Sequence, residues 1–212
     1  AYPLIRKPMV AYVVDNVLDL FDEVIVVVGY KRDVIMDILG ENVRYAVQEE
    51  QLGTGHAVLS AKNLVEDPGG NSLILSGNMP LMDAEIISKA FQDHINRRHD
   101  LTVLTTVVDN PKGYGRIIRN ESGLYLEEIV EEEEATVLQK GINEVNTGIY
   151  IVKNELLFPA LKQIKNDNAR KEYYLTDIVK ILQKENRVIG SFNIKEAIKA
   201  TSINDLFTLS VA

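Results

Sequence analysis

The sequence predicts an α/β protein with a Rossmann-like, doubly wound and mostly parallel sheet and a small β-rich insertion. Apolar runs such as residues 24–28 and 101–108 are continuous rather than alternating, which is typical of strands covered on both faces. Up to residue 108, such runs alternate with segments of helical periodicity, a rhythm that favours right-handed crossovers and a parallel sheet. The insertion is predicted because this rhythm changes after Asp109.

Hydrophobic periodicity and capping residues predict the elements of the first half. A helix is predicted over residues 10–21, because apolar residues recur at i, i+3, i+4 and i+7 and Pro8 stands where a first turn tolerates it. Gly40 closes a short helix, and Asp83 fits the N-cap of a helix that we expect to bury Ile95 among others. The other predicted elements are strands over 24–28, 43–48, 72–76 and 101–108 and helices over 32–39 and 55–65.

The second half is predicted to contain a hairpin with its turn at residues 120–123, since apolar arms flank a turn-forming Asn-to-Gly segment. No internal repeat, low-complexity tract or linker interrupts the chain. We therefore expect residues 1–212 to form a single α/β domain with a β-rich insertion over one edge. The predicted elements are the hairpin over 115–131, strands over 145–152 and 188–194, and helices over 155–164 and 173–183.

Composition excludes several classes of protein. The chain has 212 residues, a formal net charge of −8 and no cysteine, so disulfide scaffolds, thiol catalysis and thiolate metal sites are excluded. No apolar run reaches the length of a membrane span, about 18 residues. An acidic balance argues against a general nucleic-acid binder, which needs Lys and Arg to neutralise phosphates. We expect a cytoplasmic protein without a nucleic-acid or membrane partner.

Ligands of open parallel sheets bind beyond the carboxyl ends of the strands, so the polar segments at those places are the candidates for chemistry. Residues 48–57 place a threonine between two glycines at the start of a helix. Glycines let backbone N–H groups approach a ligand, and side-chain amides can read the edge of a base. A helix-opening turn explains the same spacing equally well. His56, one residue inside this helix, is favoured as a packing group over a catalyst.

Three further segments carry polar residues, and each has a plain structural explanation. Asn78 follows the third predicted strand, where a metal or phosphate could be held, although an amide is a weaker Mg²⁺ ligand than a carboxylate. A Gly-Asn turn explains it equally well. A run of four glutamates, as within residues 129–136, is typical of a solvated loop, and we expect three of the four to be solvated. Residues 112–116 and 143–148 are, alone, turn signals.

The order of these segments is more specific than any one of them. The chain contains QLGTGHA, GYGRI, VNTGIY and EYYLTDI in this order, at residues 51–57, 113–117, 145–150 and 172–178. In this order and spacing the sequence resembles the uridyltransferase domain of the bacterial bifunctional enzyme GlmU, N-acetylglucosamine-1-phosphate uridyltransferase. The resemblance extends from about Lys7 to the C-terminus.

The resemblance implies an Mg²⁺-dependent nucleotidyltransferase that joins UTP to N-acetylglucosamine 1-phosphate and releases pyrophosphate. It implies that uracil is held by Gln48, Gln51, Gly53 and Thr54. It implies that the sugar is held by Gly115, Glu131, Asn146 and Thr176. It also implies metal ligands at Asn78 and Asn204. No catalytic residue is carried over, because no Gly-rich loop is found in the sequence.

The sequence departs from the family at three places. Nothing in residues 1–8 matches the opening strand and Gly-rich loop that wrap the triphosphate, and we expect the real protein to have residues that this sequence lacks. Such a strand would be central, so its absence would leave two neighbouring strands with unpaired backbone groups. Asn78 stands where the family has an aspartate, and Glu133 where a lysine is common.

Two alternatives remain open from the sequence. Ser76, where related uridyltransferases often carry an aromatic residue, leaves room for another nucleotide or another sugar or alditol phosphate. Asn78 and the missing loop favour a different class, a non-catalytic nucleotide-sugar binding domain. The oligomeric state is not determined by the sequence. The family trimerises largely through a β-helix, the chain stops before any such repeat, and an isolated domain would be a monomer.

Overall fold

The computed structural model describes residues 3–4 and 7–203, with side chains described from Lys7 onward. The strands are β1 (Pro3–Leu4), β2 (Lys7–Pro8), β3 (Ile25–Val28), β4 (Arg44–Val47), β5 (Asn71–Ile74), β6 (Leu101–Val107), β7 (Arg116–Arg119), β8 (Leu126–Val130), β9 (Glu144–Lys153) and β10 (Ile189–Ile194). The helices are α1 (Met9–Leu18), α2 (Arg32–Leu39), α3 (Thr54–Ser60), α4 (Ala84–Asn96), α5 (Val137–Lys140), α6 (Asn154–Leu161), α7 (Asp177–Lys184) and a 3₁₀ turn at Ala197–Ala200.

The main sheet is built around β9. Strands β5 and β6 both pair antiparallel with β9 and so run in one direction, and β10 pairs parallel with β6. The hairpin of β7 and β8 continues the sheet through a single pair between Arg116 and Val145 of β9. The Rossmann-like α/β prediction is confirmed. Strand β9 runs opposite to β5, β6 and β10 because the β7–β8 hairpin reverses the chain and β9 keeps the direction of β8.

Two hydrophobic clusters cover the two faces of this sheet. Alternating residues of β9 supply both, since Tyr150 and Val152 belong to one cluster and Ile149 and Ile151 to the other. Helices α6 and α7 pack in the first cluster, and α1 and α4 in the second. Strands β5, β6, β9 and β10 contribute to both clusters and are therefore covered on both faces, as continuous apolar runs predict. The hairpin strands β7 and β8 contribute only to the first cluster.

Strands β3 and β4 form a separate parallel pair. Among the described residues, β3 pairs only with β4, and β5 pairs only with β9. A cavity of about 1260 Å³ lies between β3 and β5 and is lined by every residue of both strands. The cavity is otherwise bordered mostly by apolar side chains of the helices, including Met9, Val10, Val13, Val14, Val17, Ile87 and Phe91.

Several predicted boundaries are confirmed. Helix α2 spans the predicted residues and ends at Gly40, whose φ of 64° lies in the region that favours glycine. Asp83 caps α4, since its carboxylate accepts the N–H of Ile86 at 2.9 Å. The hairpin turn closes where expected, with the Gly123 N–H donating to the Asn120 carbonyl at 2.8 Å.

Other boundaries were wrong for identifiable reasons. The helix predicted over 173–183 begins only at Asp177, because the backbone of Tyr173 is bonded to the segment after β4 instead of to its own helix. Ile95, expected to be buried, is 46% exposed. The first and third helices are shorter than predicted, ending at Leu18 and Ser60.

Helix α5 is a short element that hydrophobic periodicity did not predict. Its four residues include Val137 and Leu138, both of which are exposed, so no apolar stripe marks it. It is defined instead by a capping box, in which Thr136 accepts the N–H of Gln139 at 3.3 Å and the Gln139 side chain accepts the N–H of Thr136 at 2.9 Å.

No helix in the described part of the chain is long and apolar enough to cross a membrane.

Candidate functional site

In the segment after β4, the side chains of Gln48 and Gln51 form hydrogen bonds to the backbone of the segment itself. The Gln48 amide donates to the Gly53 carbonyl at 3.1 Å and lies 3.0 Å from His56 Nδ1. Gln51 donates its amide to the Gln48 carbonyl at 3.3 Å. Gln48 is buried and Gln51 is exposed. These contacts give His56 a hydrogen-bonding and packing role, and they hold both predicted uracil-binding amides in one loop.

This loop is joined to the segment before α7 by backbone hydrogen bonds. Tyr173 donates its N–H to the Leu52 carbonyl and accepts the N–H of Gly55, both at 2.8 Å. Gly53, with φ of 115°, lies so close that a Cβ there would be 2.7 Å from the Tyr173 backbone. Thr54 Oγ1 accepts the N–H of Leu175 at 3.0 Å. The predicted nucleotide loop is therefore in contact with the segment that carries Thr176.

The four predicted sugar-binding residues lie together. Gly115 accepts the backbone N–H of Asn146 at 2.9 Å, and Thr176 Oγ1 donates to Glu131 Oε1 at 2.9 Å. A Cβ at Gly115 would lie 3.5 Å from Glu131 Oε2 and 3.6 Å from Asn146 Cβ. The missing side chain of Gly115 thus leaves room beside the second carboxylate oxygen of Glu131.

Tyr150 belongs to the same group, although the sequence did not single it out. The Asn146 amide donates to the Tyr150 hydroxyl at 2.7 Å, and its carbonyl accepts the N–H of Gly148 at 3.0 Å. Both contacts fix the orientation of the Asn146 side chain. Complete burial raises the pKa of the Tyr150 hydroxyl, so it stays protonated. The pleat of a strand could have indicated Tyr150, because residues i and i+4 point to the same face.

The carboxyl groups of this pocket are less acidic than usual. Burial raises the pKa of Glu131, against the hydrogen bond from Thr176. Burial, followed by the charge of Glu134, raises the pKa of Asp177 to about 6. Asp177, which follows Thr176 and feels the charges of Glu134 and Glu131, is a second residue near the pocket that sequence reasoning missed. The pocket therefore concentrates negative charge that the protein compensates only partly.

Glu133, where the family commonly has a lysine, forms an ion pair with Arg170. The side chains are 37% and 57% exposed, respectively, so this pair lies at the surface beside the pocket. Burial raises the pKa values of Glu131 and Tyr174, and the positive charge of Arg170 offsets part of this rise.

Asn78, one of the two predicted metal ligands, lines the cavity. Ile203 donates its N–H to the Asn78 carbonyl at 2.8 Å, which brings the chain just before Asn204 against Asn78. Asn204 itself lies outside the described residues. In the part of the chain that is described, no group of three or more His, Asp or Glu residues could hold a metal. An amide donor set of this kind fits a metal that is bound mainly by substrate phosphates, as Mg²⁺ commonly is.

One cavity connects most of these residues. The cavity between β3 and β5 is also lined by the predicted site residues Thr54, Asn78, Glu131, Asn146 and Thr176. Gln48, Gln51, Gly53 and Gly115 are not among its lining residues. The site therefore has a loop of amides at one side and a pocket with hydroxyl, amide and carboxyl groups at the other, an arrangement suited to holding a base and a sugar.

The sequence profile of the family described as nucleotidyl transferase matches residues 1–197. The chain belongs to this family. Relatives named bifunctional protein GlmU are similar over nearly the whole chain. The protein from Acholeplasma laidlawii is 43% identical over 213 residues, and that from Halalkalibacterium halodurans is 44% identical over 207 residues. The alignments cover 100% and 97% of this chain but only 46% and 45% of those relatives, so this nucleotidyl transferase spans about half of their length.

Solved structures share the fold. The crystal structure of a UDP-glucose pyrophosphorylase complexed with UDP-glucose superposes with a TM-score of 0.72, covering 91% of this chain and 81% of that one at 19% identity. A putative glucose-1-phosphate thymidylyltransferase from Bacillus anthracis superposes with a TM-score of 0.68 at 22% identity, covering 92% and 77%.

Proposed function

We propose that this nucleotidyl transferase joins UTP and N-acetylglucosamine 1-phosphate to give UDP-N-acetylglucosamine and pyrophosphate, with Mg²⁺. The observation that carries the proposal is the meeting of two loops, where Thr54 accepts the N–H of Leu175 next to Thr176. This contact sets an amide-bearing loop beside the pocket of Glu131 and Asn146. The similarity to bifunctional GlmU proteins supports the choice of sugar.

On the nucleotide side, we assign uracil binding to Gln48, Gln51, Gly53 and Thr54. Uracil presents two carbonyl acceptors and one N–H donor along its edge. Glutamine amides and a backbone that glycine leaves open can match both kinds of group. The hydrogen bond from Gln48 to the Gly53 carbonyl supports this role, because it keeps the loop in one conformation before the base arrives.

On the sugar side, we assign N-acetylglucosamine binding to Gly115, Glu131, Asn146 and Thr176. Thr176 occupies one carboxylate oxygen of Glu131, which leaves Oε2 to accept a sugar hydroxyl. The space beside Gly115 gives that hydroxyl access. Asn146, held by Tyr150, can offer hydrogen bonds to the acetamido group or to a hydroxyl.

The chemistry requires positioning more than covalent participation by the protein. A phosphate oxygen of the sugar 1-phosphate attacks the α-phosphorus of UTP, and the bond to the departing pyrophosphate breaks in line with the attack. The two pockets bring the reacting groups together, which converts an encounter between two anions into a reaction within one complex. Mg²⁺, held by Asn78, Asn204 and substrate phosphates, would neutralise the developing charge.

We also infer that residues 1–212 act as one nucleotidyltransferase domain. Its two core clusters share the strands β6 and β9, so neither cluster can be separated from the other without dividing the sheet. The nucleotide loop and the sugar pocket lie on parts of the chain that are joined by hydrogen bonds of Tyr173 and Leu175.

The proposal is tested by measuring pyrophosphate release with UTP and a series of sugar 1-phosphates in the presence of Mg²⁺. We expect the highest kcat/KM with N-acetylglucosamine 1-phosphate and UTP. Preference for CTP or GTP, or for another sugar or alditol phosphate, would replace the proposed substrates by those of a related transferase.

A non-catalytic nucleotide-sugar binding domain is the second candidate, favoured by the amide of Asn78 where the family has a carboxylate. It predicts that UDP-N-acetylglucosamine binds in calorimetry without turnover of UTP. The variant Asn78→Asp separates the two candidates, because a carboxylate strengthens Mg²⁺ binding. Turnover that rises in Asn78→Asp supports the transferase, and binding without turnover in both proteins supports the second candidate.

A further inference from the structure

The turn before β7 is tied to the segment after β8 by an ion pair whose arginine is buried and whose glutamate is partly exposed. The Arg116 side chain is 1% exposed, and its Nη2 donates to Glu132 Oε2 at 2.6 Å. The same Glu132 oxygen accepts the N–H of Gly113 at 3.2 Å. Arg116 Nη1 donates to the Tyr114 carbonyl. A single carboxylate therefore holds both ends of the segment 113–116.

The residues next to this ion pair are the ones assigned to the sugar. Gly115 precedes Arg116, and Glu131 precedes Glu132. Because Arg116 is paired with Val130 across the hairpin, Gly115 and Glu131 lie opposite each other beyond the last pair of the ladder. Gly115 is also bonded to Asn146 of β9, and Glu131 to Thr176, but no further ladder pair of the hairpin holds Gly115 to Glu131.

Such an ion pair is not expected to stabilise the folded protein. Burying charged groups removes their hydration, and replacing a buried pair by apolar residues is often neutral or stabilising. Arg116 Nε, moreover, has no hydrogen-bond partner among the described residues. What the pair supplies is geometry, because a carboxylate that binds a guanidinium and a backbone N–H fixes the course of the turn.

A second ion pair on β7 offers a comparison. Arg119 donates to both carboxylate oxygens of Glu144 at 2.7 and 2.6 Å and also to Ser191 at 3.0 Å. It ties the far end of β7 to β9 and β10 and contacts none of the residues assigned to the sugar. The two pairs therefore have similar chemistry on one strand but different neighbours.

We propose that Arg116 and Glu132 are positioning residues that set Gly115 against Glu131 and so determine the affinity for the sugar. The inference rests on the proposed function, because it names the group that shapes the pocket assigned to N-acetylglucosamine. It goes beyond that function in assigning a role in sugar recognition to two residues whose side chains do not contact the sugar.

The test compares calorimetric affinities for UDP-N-acetylglucosamine and for UDP in Glu132→Ala, Glu132→Gln and the control Arg119→Gln. We expect the affinity of Glu132→Ala for the UDP-sugar to fall about tenfold, because Gly115 and Glu131 would be displaced from each other. Its affinity for UDP should be unchanged. Glu132→Gln keeps an oxygen that can accept both hydrogen bonds, so its loss should be smaller. Arg119→Gln should bind both ligands as the unmodified protein does.

Amide hydrogen exchange without ligand gives a second readout. Glu132→Ala should accelerate exchange at Gly113 about tenfold or more, since that N–H loses its carboxylate acceptor, and Arg119→Gln should not. Circular dichroism checks that each variant is folded. If Glu132→Ala does not fold, Glu132→Gln, with nearly the same shape, carries the affinity measurement, and a smaller loss confined to the UDP-sugar is expected.

The possible results separate the inference from the function on which it rests. Unchanged affinity for UDP-N-acetylglucosamine in the Glu132 variants overturns the positioning role and leaves the proposed function standing. Equal losses for UDP and the UDP-sugar also overturn it, because they indicate a general structural defect. If the unmodified protein binds neither ligand, the proposed function and the role of the ion pair in sugar recognition fall together.

Discussion

The two sides of the candidate site are built differently. The nucleotide-side region, residues 25–60, has a helix α2 without a buried residue and a helix α3 in which only Gly55 is buried. The sugar-side region, residues 116–184, has a helix α6 with six of eight residues buried and two ion pairs along β7. Its strand β9 pairs with β5, β6 and β7, whereas β3 in the nucleotide-side region pairs only with β4 among the described residues.

This difference bears on how the site would work. Regions with few buried apolar contacts open at a lower free-energy cost than densely packed ones. The sugar-side region is therefore expected to be organised before a ligand binds. The nucleotide-side region borders the cavity and is joined to the other side mainly through Tyr173 and Leu175, so it is the part that can adjust.

Two matched truncations test this difference most strongly. Ile178 in the sugar-side region is completely buried, and Ile25 in the nucleotide-side region is half-buried against the cavity. Ile178→Ala should lower the free energy of unfolding by about 2–5 kcal/mol, because it opens a cavity in a packed core. Ile25→Ala should lower the free energy of unfolding by only about 1 kcal/mol, because the half-buried Ile25 side chain removes less apolar area from water.

Urea denaturation of both variants gives the measurement, with Val137→Ala as the surface control. Val137 is 90% exposed, so its truncation should change the free energy of unfolding by no more than about 0.5 kcal/mol. Equal losses at positions 178 and 25 would show that the two regions are packed equally well and would remove the basis of the comparison.

A pH titration tests a buried polar contact that joins helix α4 to strands β5 and β6, outside both regions. His94 is buried behind the sheet, with its ring nitrogens 3.0 Å from Asn71 Oδ1 of β5 and 2.9 Å from Thr102 Oγ1 of β6. Burial, followed by the charges of His99 and Lys153, lowers the pKa of His94 to about 4. Below pH 6.5 the unfolded chain therefore takes up a proton that the folded protein does not, and stability is lost as the pH falls from 6.5 to 4.

The expected loss is about 3 kcal/mol, from 1.36 kcal/mol for each unit of pKa shift. It should appear in urea midpoints measured at several pH values. The variant His94→Gln, which does not titrate but can still form hydrogen bonds, should be less sensitive to pH over this range. The same slope in both proteins would assign the acid sensitivity to other groups and not to the link between β5 and β6.

Local patterns predicted the parts of the fold that depend on local contacts. The bounds of α2 and the hairpin turn follow from periodicity and from Gly40, Asn120 and Gly123, which act on their own neighbours. The direction of β9 could not be predicted, because a continuous apolar run looks the same in a parallel and an antiparallel strand. The late start of α7 also escaped prediction, since Tyr173 is bonded to a segment more than a hundred residues earlier.

The candidate site divides in the same way. The ordered motifs predicted Gln48, Gly115 and Glu131 as binding residues, because each lies in a short segment that can be recognised locally. The sequence contained no sign that Asp177 would lie among other carboxyl groups, because Glu131 and Glu134 approach it only in the folded chain. The burial of Arg116 was equally hidden, since an arginine in a hairpin is usually exposed.

The last prediction concerns this concentration of charge, which has no counterpart on helix α2. Because the pKa of Asp177 is raised to about 6, the folded protein holds a proton that the unfolded chain has already released between about pH 4 and 6. Stability from this group is therefore lost as the pH rises through 6. Asp177→Asn should raise the free energy of unfolding at pH 7 by about 1–2 kcal/mol, a value reduced for solvent screening.

Urea denaturation of Asp177→Asn at pH 7 and pH 4 measures this effect, with Asp37→Asn on the exposed face of α2 as the control. The gain should shrink towards pH 4, where the carboxyl group is protonated in the folded protein and about half protonated in the unfolded chain. The control should change by no more than about 0.5 kcal/mol. A loss of stability in Asp177→Asn at pH 7 would mean that the charge is compensated in the pocket. The sugar-side region would then be densely packed without the electrostatic cost that distinguishes it here from the nucleotide-side region.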